Sequence, residues 1–178
     1  VKVLEPHELE FAAFVNTGDR LAWGQAGAEP LALTRALMAQ RAAVGPFSAF
    51  IGTTWSDTAD PACADFVQFI SYCGAGGNRR LAKAGLLQVL PCHYSQLAEL
   101  IRTGRLTIDV LLLQVAPPNA SGRFSLSIAH EYLIAALDTA RVIVAEINDQ
   151  APWTFGARSL GETDIDFAVM TSRSPVTA

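Results

Sequence analysis

Two short stretches of this chain carry few polar side chains: Ile108 to Val115, "IDVLLLQV", and Arg141 to Glu146, "RVIVAE". A strand with one wetted face alternates apolar and polar residues. A run that is apolar at nearly every position belongs instead to a strand covered on both faces, as in parallel sheets flanked by helices. The rest of the chain supplies what that arrangement needs. Further strands are read at Arg20–Trp23, Phe47–Thr53, Phe69–Tyr72, Gln88–Leu90 and Asp164–Val169. Helices are read between them at Pro30–Ala43, Asn78–Ala84, Ser95–Thr103 and residues 128–140. In the first helix Leu33, Leu37 and Val44 share one face, Pro30 suits the first position, and Glu29 sits by the positive end of the dipole. Asn78 and Ser95 are read as caps, and Gly104 as a stop. Strand alternating with helix predicts an α/β domain built on an open, mainly parallel sheet with helices on both faces.

The chain has 178 residues, enough for one sizeable domain and hardly enough for two. Charged residues make up only 17% and hydrophobic ones 51%, with a mean hydropathy of +0.27. That balance needs either helices over both sheet faces or a large apolar face given to another domain or subunit. A net charge of −4 and no basic run argue against a nucleic-acid partner. No apolar run approaches the ~18 residues of a membrane span. Cys63, Cys73 and Cys92 fit no zinc spacing, and an odd count with no leader segment points to a reduced, cytoplasmic compartment. The polar ending "TSRSPVTA" reads as an inter-domain linker, so the chain is expected to be one piece of a longer polypeptide.

In open parallel sheets ligands bind beyond the carboxyl ends of the strands. Four loops rich in Gly, Pro and Asn fall at such ends: "GQAGAEP", "CGAGGN", "APPNASGRFSLS" and "NDQAPWTFGA". The third is a dozen residues long, where a few would join strand to helix. Its expected purpose is to build a site. Gly24 and Gly27 could present backbone N–H groups to an anion or carboxylate, or simply turn the chain. "GQAGAEP" is not the dinucleotide fingerprint. Cys73 has no placed histidine to activate it and reads as an inert thiol. Cys92 and His93 are adjacent and point apart, and His130 reads as a packing or surface residue. Glu146 ends a buried strand and needs a partner, either structural or functional. No spacing suggests a metal.

Taken in order, several of these segments resemble the N-terminal half of the acetyl-CoA hydrolase/transferase family, which includes acetate, succinyl and 4-hydroxybutyrate CoA-transferases. The section from "LPCHYSQLAELIRTGRLTIDVLLLQVAPPNASGRFSLS" to "ARVIVAEINDQAPWTFGA" is similar to the family's run of "G-x-L-x-x-DV", "Q-V-S-P-P-D-x-x-G-x-x-S-L-G" and "EVN-x-x-x-P-x-x-x-G". "GQAGAEPLAL" resembles its early glycine turn. Departures fall on the same loops: Ala116 for Ser, Asn119 for Asp, Ser127 for Gly, and Trp153 where Arg is common.

The resemblance implies a CoA-transferase-like fold of two open α/β domains with the active site between them. It implies CoA transfer between carboxylates, including acetate, or thioester hydrolysis. A glutamate of the C-terminal domain would attack the acyl-CoA, and Glu146 is not its counterpart. No catalytic residue and no metal are then expected here. Coenzyme A and acyl-CoA would be substrates, with no tightly bound cofactor. The implied partners are the C-terminal catalytic domain of the same polypeptide, acyl-CoA, a small carboxylate and further copies of the chain, with no nucleic acid or membrane. Gly24, Gln25, Gly27, Pro118, Asn119, Gly122, Ser125 and Asn148 are expected to line one wall of the acyl pocket. The rival expectation is a stand-alone binding or regulatory module of the same fold.

Overall fold

The computed structural model describes residues 1–178. Its centre is β6 (Val110–Val115) beside β8 (Val142–Asn148), every residue of both being buried. They pair in parallel from Val110 opposite Val142 to Val115 opposite Ile147. The sheet extends on one side through β10 (Phe167–Thr171) to β1 (Lys2–Leu4). On the other side come β2 (Arg20–Trp23), β3 (Phe47–Phe50), β4 (Val67–Ser71) and β5 (Leu87–Val89). The order is β1-β10-β8-β6-β2-β3-β4-β5, and every pairing is parallel. The α/β fold on an open parallel sheet is therefore as the sequence implied.

Side chains of a strand alternate between faces, and here both faces are dry. Leu111, Leu113, Ile143 and Ala145 join one core of 23 buried residues, while Val110, Leu112, Val142 and Val144 join a second of 22. The near-equal cores explain why neither strand alternates with polar residues. Leu33, Leu37 and Met38 of α1 (Leu31–Val44) and Leu81 of α2 (Asn78–Lys83) enter the second core. Leu97 and Ile101 of α3 (Leu97–Arg102) and Leu133 of α4 (Leu133–Leu137) enter the first. No helix is long and apolar enough to cross a membrane.

Several local expectations are corrected. The helix expected at 128–140 spans only Leu133–Leu137, because Ser127 and Glu131 take left-handed φ values of 58° and 43°. Asn78 does not cap α2: its Oδ1 accepts the Thr54 hydroxyl and its Nδ2 donates to the Gly52 carbonyl, both at 2.8 Å. His93, not Ser95, caps the turn before α3, its Nδ1 accepting the Ser95 amide. Arg173 and Val176 of the polar ending also lie against this domain, as described below. Three strands have no counterpart in the sequence reading: β1, and β7 (Phe124–Ser125) with β9 (Ser159–Leu160), which form an antiparallel ribbon. That ribbon ties the long loop after β6 to the segment after β8.

Candidate functional site

Because all eight strands run in parallel, their carboxyl ends share one edge, and the four Gly/Pro/Asn-rich loops follow four of those ends. The edge divides into two halves. Over β2, β3 and β4 the organiser is Gln25. Its Oε1 accepts the Thr53 amide at 3.0 Å and the Tyr72 hydroxyl at 2.8 Å, and its Nε2 donates to Glu131 Oε1 at 2.8 Å. Gly24 and Gly52 make this possible. A β-carbon on Gly24 would overlap the Ala28 carbonyl, and one on Gly52 would overlap the Gln25 side chain and lie 2.9 Å from the Tyr132 hydroxyl. Around this amide three phenols stand edge to face. Tyr72 and Tyr94 have ring centroids 5.3 Å apart, Tyr94 and Tyr132 5.9 Å.

Burial sets the electrostatics of this cluster. Desolvation pushes the Glu131 carboxyl above its ordinary range, against the opposing hydrogen bonds of Gln25 and Tyr94. Desolvation likewise raises the phenols of Tyr72, Tyr94 and Tyr132, with the neighbouring Glu131 carboxylate adding to it in each. The Tyr132 hydroxyl is buried without a hydrogen-bond partner. Such atoms are rare in folded proteins.

Over β2, β6 and β8 the organiser is Arg173. Its Nε donates to Glu146 Oε1 at 2.6 Å, and its Nη2 donates to Gln114 Oε1 and the Glu29 carbonyl at 3.0 Å. Glu146 is fully buried; its Oε1 also accepts the Thr171 hydroxyl and its Oε2 the Ala32 amide, each at 2.9 Å. It is a structural carboxylate at the start of α1. Glu29 is buried too, and its Oε1 accepts the hydroxyls of Thr34, Ser56 and Thr58. The tail then crosses the edge as far as Gly27, where a β-carbon would meet the Val176 carbonyl at 3.2 Å.

The eight residues expected to line a pocket are distributed over this edge. Gly24, Gln25 and Gly27 lie at its centre. Asn148 is fully buried; its Nδ2 donates to Gln114 Oε1, and its Oδ1 accepts the Gln150 and Arg173 amides, all at 3.2 Å. Ser125 is 1% exposed, and its hydroxyl bonds to Thr154 and the Ser127 amide, holding loops together. Pro118, Asn119 and Gly122 stand outward at the exposed tip of the long loop. There Asn119 Oδ1 accepts the Ser121 and Arg123 amides at 3.0 Å, and Gly122 takes φ 69°.

Tyr72, Tyr94, Glu131, Tyr132 and Arg173 were missed. Their role depends on contacts across up to 144 residues of chain, such as Arg173 with Glu29, which no local pattern announces. His130 packs against Gly156, where a β-carbon would overlap its ring, and both ring nitrogens lack partners. Cys73 Sγ lies 3.6 Å from the Thr53 hydroxyl, and all three cysteines are free. No group of three or more His, Cys, Asp or Glu side chains could hold a metal ion.

The family model of the acetyl-CoA hydrolase/transferase N-terminal domain matches residues 1–175. The 4-hydroxybutyrate coenzyme A transferase of Clostridium kluyveri is 31% identical over 97 residues, 54% of this chain and 23% of that protein. The butyryl-CoA:acetate CoA-transferase of Anaerostipes caccae is 27% identical over 150 residues, 83% and 34%. The succinyl-CoA:cyclohexane-1-carboxylate CoA transferase of Geobacter metallireducens is 25% identical over 173 residues, 94% and 38%. The chain thus spans well under half the length of the curated relatives it matches. Among solved structures, RipA from Yersinia pestis superposes with a TM-score of 0.87 at 22% identity, covering 98% of this chain and 43% of that one. The 4-hydroxybutyrate CoA-transferase from Porphyromonas gingivalis gives 0.74 at 22%, covering 98% and 40%. The decarboxylase AibA/AibB gives 0.63 at 16%, covering 96% of this chain and 83% of that one, and all three structures speak for the fold alone. With the family model matched from Val1 to Pro175 and the parallel sheet as found, this chain belongs to the acetyl-CoA hydrolase/transferase family and is its N-terminal domain.

Proposed function

We propose that the chain is the N-terminal domain of an acyl-CoA:carboxylate CoA-transferase or acyl-CoA hydrolase, and that its carboxyl edge forms one wall of the acyl and carboxylate pocket. The observation that carries this reading is the family match over residues 1–175, on a chain that spans only 23–38% of the relatives' length. The nucleophile is a glutamate of a second α/β domain in the same polypeptide. It attacks the thioester, releasing CoA, which returns to form an enzyme–CoA thioester while the acyl carboxylate departs; a second carboxylate, or water, then completes the exchange. Coenzyme A is a substrate in this scheme and not a resident cofactor. The assembly is a homo-oligomer acting in the cytoplasm.

The eight residues named from the sequence serve that wall in different ways. Gly24 and Gly27 let the backbone of the first turn approach the ligand, where amide groups hold the carboxylate or thioester oxygen. Gln25 clamps the loops after β3, β4 and the long loop together. Ser125 and Asn148 hold the floor from beneath. Pro118, Asn119 and Gly122 shape the outer loop toward the second domain.

The polypeptide that carries this chain is given acetyl-CoA and a panel of small carboxylates. The expected result is the new acyl-CoA with ping-pong kinetics, or free CoA if the enzyme is a hydrolase, and no turnover by residues 1–178 alone. Turnover by those residues alone would sink the placement of the nucleophile. Neither exchange nor hydrolysis across the panel would leave a non-catalytic binding module as the answer.

A further inference from the structure

We propose that the cleft at the amino ends of β2 to β5 is a binding site for a monocarboxylate with an apolar body, held by Arg20. The cleft lies at the opposite edge of the sheet from the Gly/Pro/Asn-rich loops, and the inference does not depend on the reading above.

The cleft has a volume of about 660 Å³, within the ~300–1,000 Å³ common for small-molecule sites. It arises from the register of the sheet. Arg20 on β2 stands opposite Ser48 on β3, and Ser48 opposite Gln68 on β4. Gln68 Nε2 reaches on to Gln88 Oε1 on β5 at 3.2 Å. Side chains alternate along a strand. The row therefore shares a face with Ala22, Phe50 and Ile70, two residues further along, which lie in the first core. The row itself is left open, with Gln68 and Gln88 exposed. Phe66 and Leu86 add apolar walls, Leu86 being 39% exposed.

Charge decides what fits. Arg20 and Asp65 are the charged residues that line the cleft. Asp65 is already bound at both oxygens, by Arg41 Nε at 2.8 Å and Arg41 Nη2 at 3.0 Å. Arg20 has no such partner. Its Nη1 donates to the Thr107 hydroxyl at 3.2 Å, and its Nε is buried with nothing to bond. None of the ion pairs in the chain includes it. The carboxylates nearest its backbone are committed elsewhere, Asp19 to Arg141 and Asp109 to the Arg20 amide at 2.7 Å.

One guanidinium without a counter-charge matches one carboxylate. A dianion such as phosphate is not matched, because a single free positive charge meets it and the Asp65 carboxylate lines the same cleft. A carboxylate seated at Arg20 has Ser48 as its neighbour in the row and leaves its apolar body for Phe66 and Leu86.

The test uses the full-length polypeptide, titrated calorimetrically with benzoate, its neutral isostere benzamide, and inorganic phosphate. Benzoate is expected to bind at least about tenfold tighter than either, the worth of a charge-assisted hydrogen bond. Arg20→Met should weaken benzoate by about tenfold or more and leave benzamide unchanged. Leu86→Glu, at an exposed position, places a like charge on the rim and should weaken benzoate roughly threefold. That variant decides the matter if Arg20→Met fails to fold. Benzoate affinity unchanged in the variants overturns the proposal, since the anion then sits elsewhere on the polypeptide. Phosphate binding as tight as benzoate overturns it as well. So does the absence of saturable benzoate binding, which leaves Arg20 as a solvated cation at the strand ends.

Discussion

Replacing Arg173 by Met should cost this domain about 3 kcal/mol, at the lower end of the ~3–5 kcal/mol lost when one partner of a buried ion pair is removed. The lower end applies because Glu146 keeps two donors, the Thr171 hydroxyl and the Ala32 amide. Gln114 Oε1 likewise keeps the Asn148 amide. The reverse change, Glu146→Gln, should cost less. Arg173 has 19% of its side chain exposed and can take water as a partner, whereas the Glu146 side chain has none exposed. The double variant removes both charges and should be more stable than the sum of the single losses implies, by about 1–3 kcal/mol of coupling. At this chain length 1 kcal/mol moves the melting temperature about 2–4 °C, so Arg173→Met should melt roughly 6–12 °C lower. Urea titrations followed by circular dichroism give all three values from one cycle. Losses that add to within about 0.5 kcal/mol would show that Arg173 and Glu146 stabilise the fold separately, and the account of a tail strapped down by this pair would fail.

Glu131→Gln should change stability in a pH-dependent way. Burial holds the Glu131 proton to a higher pH in the folded chain than in the unfolded one, where glutamate titrates near ~4.3. The stability this gives is full below the unfolded value and is lost as pH rises through the folded value. Glutamine does not titrate, so the variant should gain on the wild type as urea midpoints are followed from pH 4 to 8; a flat difference contradicts the burial argument. Gly24→Ala should destabilise by about 1–3 kcal/mol, since its β-carbon overlaps a backbone carbonyl that cannot swing aside. An unchanged melting temperature would mean that the turn is loose. Cys63 is buried and its thiol is pushed up by burial, so it should be the last of the three cysteines to react with a thiol reagent at pH 8. If it is labelled first, the segment before β4 opens far more readily than its packing suggests.

The sheet was legible because its central strands are dry on both faces, which leaves a run of Val, Leu and Ile that no other environment requires. β1 was not legible. Lys2–Leu4 is a short, largely exposed edge strand, and its only ladder is to β10 at the far end of the chain. The helix read at 128–140 failed for a related reason. Ser127 is pinned by its amide to Ser125 and by its carbonyl to Thr154, and Glu131 by Gln25, so distant loops override the local helical pattern. The site was half legible. Glycines and an amide in a turn after a strand announce a close approach, and that drew attention to Gly24, Gln25 and Gly27. Nothing nearby marks Tyr72, Tyr94 or Tyr132 as neighbours, because parallel crossovers bring them together from three separate connections. Arg173 was hidden in a tail whose polar composition matches a linker, although its side chain belongs to the interior.

The two halves of the carboxyl edge differ in how their polar groups are held, and this bears on where a substrate can sit. Over β6 and β8 the Arg173 guanidinium, the Glu146 carboxylate and the amides of Gln114 and Asn148 bond to one another, and the tail lies across them. A ligand there would have to displace the tail and break a buried ion pair. Over β2 to β4 the polar groups converge on Gln25 but leave the Tyr132 phenol unpaired, with aromatic rings around it and half-buried Gln25, Thr53 and Tyr72 at the surface. The tail ends its crossing against Gly27, at the border between the halves.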